Sequence, residues 1–241
     1  MYMDSIKINS MNTCMVAHRG LSGIETENTN AAFIAAGNRS YFGIETDVHK
    51  TADGKFVVIH DDRTGRVSSA DISVEGSSYE ELRGINLHSP DGKEGRADML
   101  IPSLKEYIST CKRYEKIAVL ELKNEFTSDE IKAICDEITE ENYLENVIFI
   151  SFCFDNLVRL REFYPEQTVQ FLVDDYDDGL PELLASHKFD LDIEYKALTK
   201  ERIDTLHSRG IKINCWTCND KEAGEKLSKY GIDFITSNIL E

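Results

Sequence analysis

His49-Lys50-Thr51-Ala52-Asp53-Gly54-Lys55 fills the interval between two apolar, β-branched runs, one ending at Val48 and the next opening at Phe56. Seven residues are too few for a parallel crossover, which takes a dozen or more. Asp53-Gly54 is a hairpin turn pair. Residues 56–60 are therefore expected to fold back, antiparallel, on the strand before them. Working outward, short runs rich in Val, Ile and Phe mark further strands at 13–17, 42–48, 116–123, 146–152, 168–173, 190–195, 212–217 and 234–237. Segments with apolar residues at helical spacing lie between most of them, at 29–38, 103–114, 128–142, 155–164, 180–187, 199–209 and 220–230. Thr127 three residues before Glu130 suits a capping box, and Gly210 and Gly231 follow two helices where a left-handed cap is expected. With the hairpin set aside, eight strands joined by helix-sized segments remain. That count predicts an α/β chain folded as a (β/α)8 TIM barrel with an extra β-hairpin after strand 2. A doubly wound open sheet is the competing arrangement, because strand counting does not separate the two. The last strand ends four residues before the end of the sequence, so no closing helix is expected within it.

Length and composition agree with one barrel domain over residues 1–241. The chain has 241 residues, 41% of them hydrophobic, and no Pro/Gly/Ser-rich linker. Residues 61–100 form the one irregular stretch, with Ser68-Ser69, Gly76-Ser77-Ser78 and Ser89-Pro90-Asp91-Gly92. It reads as a small insertion carrying a short helix near 79–83, either a surface excursion or a substrate-selecting cap. Asp and Glu number 44 against 27 Lys and Arg, for a net charge of -17. Such a chain is not expected to bind nucleic acid or an anionic membrane, both of which call for basic clusters. No apolar run approaches the ~20 residues of a membrane span, and residues 1–12 lack the apolar core of a signal peptide. The six cysteines are scattered and read as reduced thiols, so the expected location is the cytoplasm.

The strand ends carry unusual polarity. His18-Arg19-Gly20 closes the first strand, and the second carries Glu45 and Asp47, two apart and so on one face. The hairpin returns to His60-Asp61, and the next barrel strand carries Glu121 and Lys123, again two apart. In a parallel barrel the outer face is covered by helices, so charge on these strands is costly unless it faces a site. The C-terminal rim of the barrel is therefore expected to gather His18, His60, Glu45, Asp47, Glu121, Arg19 and Lys123. Three carboxylates with few His and no Cys suit a hard divalent cation, Mg²⁺ or Ca²⁺. Together with Arg19 and Lys123 such a set suits a phosphodiester monoanion. His49 shares the parity of Glu45 and Asp47 but falls beyond the barrel end, and it is read as structural.

The ordered set of motifs resembles the glycerophosphodiester phosphodiesterase family. It comprises His18-Arg19-Gly20, Glu27-Asn28-Thr29 with Ala32-Phe33, Glu45-Thr46-Asp47-Val48, Thr51-Ala52-Asp53-Gly54, His60-Asp61, Ile101-Pro102-Ser103-Leu104, Leu120-Glu121-Leu122-Lys123, Ser151-Phe152 and Trp216-Thr217-Cys218-Asn219. The resemblance spans residues 14–237; the order of the motifs is specific, and no single motif is. It implies a (β/α)8 barrel, one divalent metal held by Glu45, Asp47 and Glu121, and His18 and His60 as the acid/base pair. It further implies phosphate contacts from Arg19 and Lys123 and a pocket wall at Trp216. The implied reaction is hydrolysis of a small-molecule glycerophosphodiester to glycerol 3-phosphate and an alcohol. A related phosphodiesterase acting on lysophospholipids and a non-catalytic phosphoester-binding barrel are the alternatives.

Two positions depart from the family pattern. Thr26 stands where Pro is usual, and Thr236-Ser237-Asn238-Ile239 stands where Thr-Asp followed by Pro is common. Neither is expected to touch the catalytic set, though the second lies at the pocket rim. Cys215 and Cys218 have redox-pair spacing, but residues three apart on a strand face opposite ways, so a structural role is expected. The acidic run 174–178 reads as a solvated loop, with a second cation site as the sharper alternative.

Overall fold

The computed structural model describes residues 4–93 and 95–241. Nine strands appear among them: β1 Cys14–Ala17, β2 Gly43–Lys50, β3 Phe56–Val58, β4 Ile117–Leu122, β5 Val147–Ser151, β6 Val169–Val173, β7 Asp190–Glu194, β8 Ile213–Trp216 and β9 Phe234–Ser237. The helices are α1 Asn30–Gly37, α2 Tyr79–Arg83, α3 Leu104–Arg113, α4 Ser128–Glu140, α5 Phe154–Phe163, α6 Leu180–His187, α7 Lys200–His207 and α8 Lys221–Tyr230. Every strand and helix expected from the sequence forms, with ends shifted by a few residues. The capping box at Thr127 and Glu130 is present, and Ser78 with Glu81 and Ser103 with Glu106 build two more. Each such cap satisfies helix donors that water would otherwise have to reach.

Strand order decides between the barrel and the open sheet. The hydrogen-bonded path runs β8-β7-β6-β5-β4-β2-β1-β9, parallel throughout, so barrel strands adjacent in sequence lie side by side without the reversal a doubly wound sheet requires. The hairpin branches off that path as expected. Val48 pairs antiparallel with Val58 and Lys50 with Phe56, and Gly54 takes the left-handed backbone of the turn. Between β8 and β9 the barrel closes through single contacts rather than a ladder. Cys218 N donates to Thr236 O at 3.0 Å, and Thr236 Oγ1 donates to Asn214 Oδ1 at 3.1 Å.

A small apolar cluster of Val16, Val119, Ile148, Ile150 and Leu172 fills the barrel interior, and the main core lies between strands and helices. Residues of the insertion pack their own cluster around Val57 and Ile59 of the hairpin, using Val74, Leu82, Ile85, Leu87, Met99 and Ile101.

Where a closing helix would sit, residues 239–241 run beside residues 6–8. Ile6 N donates to Ile239 O, Ile8 N to Glu241 O and Glu241 N to Ile6 O. The buried Glu241 carboxylate accepts from Ser40 N at 2.7 Å and pairs with Lys7; burial opposes its ionisation, but Lys7, Ser40 and Ser5 bring its pKa down to about 2. A carboxyl depressed in the folded state stabilises fully above its ordinary value of 4.5, and that stabilisation drains away between there and about 2. Glu241→Gln is expected to cost about 2 kcal/mol at pH 7 and nearly nothing at pH 2. Urea unfolding of both proteins at the two pH values measures the difference; a pH-independent cost would show that packing rather than ionisation is involved.

Candidate active site

The inner faces of β2 and β4 build the acidic centre. Glu45 and Asp47 alternate inward on β2, and Asp47 is the direct register partner of Glu121 on β4. All three are buried, and one carboxylate oxygen from each lies within 4.8 Å of the others. Among the described residues this is the one group with metal-holding geometry, so the second cation site considered at 174–178 does not form.

The chain after β1 turns sharply to bring His18 and Arg19 to the same place. Arg19 has φ +54°, a strained backbone for a side chain of its size. Its amide donates to Glu45 Oε2 at 2.7 Å, which ties the turn to the acidic centre. Gly20 follows at φ +75°, and a Cβ there would meet the Ala32 backbone of α1 at 2.7 Å. Only glycine permits that approach. Asn28 completes the turn: its Nδ2 donates to Asp47 Oδ2 at 2.7 Å and its Oδ1 accepts from Thr46 Oγ1 at 2.6 Å.

Each imidazole is oriented by its Nδ1. His18 Nδ1 lies 2.6 Å from Asn238 Oδ1, and His60 Nδ1 lies 2.5 Å from Asp61 Oδ1. A carbonyl or carboxylate oxygen can only accept, so Nδ1–H donates in both cases and Nε2 carries the lone pair. Asn238 thus contacts His18 directly, which corrects the expectation that the departure at 236–239 touches none of the candidate residues. No sequence signal marks this contact, because Asn238 sits in irregular chain just past β9. Thr26 acts elsewhere, donating to His88 O at 2.6 Å across to the insertion.

A chain of ion pairs braces the site from behind. Asp61 Oδ2 accepts from Arg66 Nε at 2.6 Å, Arg66 Nη2 donates to Glu27 Oε1 at 2.7 Å, and Glu27 Oε1 accepts from Arg19 Nη1 at 2.9 Å. Arg66 belongs to the insertion, yet among the described residues none from 61–100 lines the central cavity. The insertion reaches the site through Asp61 and Arg66. His49, read as structural, is wholly buried with Nε2 at 3.2 Å from His60 O.

The cavity, of about 450 Å³ with its open mouth, is lined by His18, Arg19, Glu45, His60, Glu121 and Lys123 on one side. Ile150, Phe152, Leu172, Asp192, Trp216, Thr217 and Thr236 line the other. Phe152 and Trp216 meet edge to face at 5.6 Å, and Phe152 is 43% exposed at the rim. Trp216 stands where the pocket wall was expected. All eight sequence-predicted site residues except Asp47 line this cavity, and Asp47 lies beneath it in contact with Arg19 Nε and Lys123 Nζ, both at 3.5 Å. Cys215 and Cys218 are buried, and all six cysteines are free.

Charge in the centre is uneven. Burial and the adjacent Asp47 push Glu45 well above the usual carboxylate range and Glu121 up to about 8. Burial opposes ionisation of Asp47 too, but Arg19 and Lys123 hold it below that range. Burial and Arg19 bring His18 down to about 4, and burial also lowers His60, against the pull of Asp47. Asp47 Oδ1 and Glu121 Oε1 are buried without a hydrogen bond of acceptable geometry, although Lys123 Nζ approaches Glu121 Oε1 to 2.9 Å. Three buried carboxylates with ligand oxygens this close, two of them neighboured by the Lys123 ammonium rather than tied into well-formed hydrogen bonds, make an all-oxygen donor set that fits a hard divalent cation.

The family model described as "Glycerophosphoryl diester phosphodiesterase family" matches residues 18–240. A glycerophosphodiester phosphodiesterase of Caldanaerobacter subterraneus subsp. tengcongensis is 30% identical over 235 residues, 95% of each chain. One from Bacillus altitudinis is 29% identical over 230 residues, 92% of this chain and 93% of that one. Among solved structures, an Oleispira antarctica phosphodiesterase in complex with the product sn-glycerol-3-phosphate superposes with a TM-score of 0.84 at 26% identity, covering 96% of this chain and 95% of that one. With the family model spanning nearly the whole barrel, the chain belongs to the glycerophosphoryl diester phosphodiesterase family.

Proposed function

We propose that this phosphodiesterase hydrolyses small-molecule glycerophosphodiesters to glycerol 3-phosphate and an alcohol. In this reading Glu45, Asp47 and Glu121 hold one divalent cation, Mg²⁺ or Ca²⁺, and His18 and His60 move the protons. The observation that carries it is the buried trio of carboxylates, whose ligand oxygens lie within 4.8 Å of one another, beside two imidazoles each held through Nδ1. Bound there, the cation supplies polarisation of the phosphoryl oxygens and neutralisation of their charge.

The chain's own groups do the rest. Arg19, held by Glu27, and Lys123, held over Asp47 and Glu121, attract the phosphodiester anion. His18, kept neutral by burial and backed only by the Asn238 amide, is suited to accept the proton of the attacking hydroxyl. His60 is backed by the Asp61 carboxylate, which Arg66 holds ionised at about 2. That carboxylate supports an imidazolium, so His60 is suited to give a proton to the leaving alkoxide. Phe152 and Trp216 form the wall along which the alcohol half leaves.

Release of glycerol 3-phosphate from sn-glycero-3-phosphocholine tests the reading. Exhaustive chelation is expected to remove activity, and added Mg²⁺ or Ca²⁺ to restore it. Undiminished turnover after chelation would remove the cation from the account, and no turnover on any glycerophosphodiester would remove the reaction.

A further inference from the structure

Polar residues occupy inward positions low in the barrel where apolar ones would pack. Gln170 on β6, Asp192 on β7, Asn214 on β8 and Thr236 on β9 are all buried. They are mostly satisfied by one another. Asn214 Nδ2 donates to Gln170 Oε1 and to Asp192 Oδ2, each at 3.2 Å, and Asn214 Oδ1 accepts from Thr236 Oγ1 at 3.1 Å. The exception is Asp192 Oδ1. It is buried, has no hydrogen-bond partner, and belongs to a side chain lining the catalytic cavity opposite the histidines. The indole Nε1 of Trp216, in the wall of the same cavity, is likewise buried and unpaired. An orphaned polar atom in a low-dielectric site is costly, and its retention calls for a ligand group that completes it.

We propose that Asp192 is a specificity-determining residue whose Oδ1 takes the terminal hydroxyl of the substrate's glycerol half at the cavity floor. This rests on the phosphodiesterase reading and adds to it which end of the substrate enters and what recognises it. The head group varies in size and leaves past the half-exposed Phe152 at the rim. The glycerol half is small and constant, so it is the half that fits a closed floor. Its 2-hydroxyl is adjacent to the phosphoester carbon and stays near the histidines, whereas the terminal hydroxyl extends away from phosphorus. Burial, and then Glu121, push the Asp192 carboxyl well above the usual range, which favours its protonated form. Since Oδ2 accepts from Asn214, the acid proton sits on Oδ1. That O–H donates to the glycerol hydroxyl without adding negative charge near the phosphate.

The test compares kcat/KM on sn-glycero-3-phosphocholine and on the analogue lacking only the terminal hydroxyl. Wild-type enzyme is expected to prefer the full substrate by at least about 30-fold, as expected when a polar site meets a ligand that leaves it unpaired. Asp192→Leu should bring that preference to within threefold by losing rate on glycerophosphocholine alone. Asp192→Asn keeps an N–H donor at the Oδ1 position and should retain most of the preference, and it also guards against misfolding of the leucine variant. Equal loss on both substrates, or a wild-type preference in Asp192→Leu, overturns the assignment while leaving the phosphodiesterase reading intact. Wild-type enzyme that hydrolyses neither compound overturns both.

Discussion

Asp47→Asn is expected to lower kcat/KM for glycerophosphocholine at least a thousandfold, about 4 kcal/mol of transition-state stabilisation. Asp47 is the hinge of the site's electrostatics. It accepts from Asn28, lies 3.5 Å from both Arg19 and Lys123, and neighbours Glu121 in register. Removing its charge should weaken the proposed cation site and loosen Arg19 and Lys123, the side chains proposed to meet the phosphate. The fold should survive the change. The amide oxygen of Asn can still accept from Asn28, and without the Asp47 charge that pushes them up, Glu45 and Glu121 can ionise more readily beside Arg19 and Lys123. Thermal unfolding is expected to shift by a few degrees at most. A variant that retains a tenth or more of wild-type kcat/KM would take Asp47 out of the chemistry.

The second large effect separates the two histidines. His60→Ala is expected to cost a factor of about 10²–10⁴ on glycerophosphocholine, whose choline leaves as a poor alkoxide and needs a proton. On a glycerophosphodiester with a p-nitrophenol leaving group the same variant should lose less than tenfold, because that group leaves without protonation. His18→Ala should lose comparably on both substrates, since the base is needed whatever leaves. The reverse pattern would exchange the two roles. The assignment rests on different partners, a carboxylate behind His60 and a neutral amide behind His18. Both substitutions lie in the open cavity, so folding stability should change little.

The barrel was legible because its deciding feature is local. A short Asp-Gly interval cannot hold a crossover, and that alone separated the hairpin from the barrel strands. The acidic centre was legible for a related reason, since paired charges at spacing two on a helix-covered strand have to face inward. The residues that were missed depend on distant contacts. Asn238 orients His18 from a loop with no periodicity, and Arg66 joins Asp61 to Glu27 across 39 positions. Asp192 could have been found by the argument used for Asp47, being a charge between Leu191 and Ile193 on a parallel strand. It stands alone on its strand, however, and only the fold shows Gln170, Asn214 and Thr236 beside it. Whether the insertion is a surface excursion or a cap was not legible, because its length says nothing of which side it packs on. Its apolar residues gather on Val57 and Ile59 of the hairpin, and among the described residues none of it lines the cavity.

Calorimetric titration of chelator-treated protein with Mg²⁺ and with Ca²⁺ tests most directly whether Glu45, Asp47 and Glu121 form one cation site. One equivalent should bind to the wild type with at least one of the two ions, and binding should be lost in Asp47→Asn and Glu121→Gln. A wild type that takes up neither ion, or variants that bind with unchanged affinity, would contradict the account.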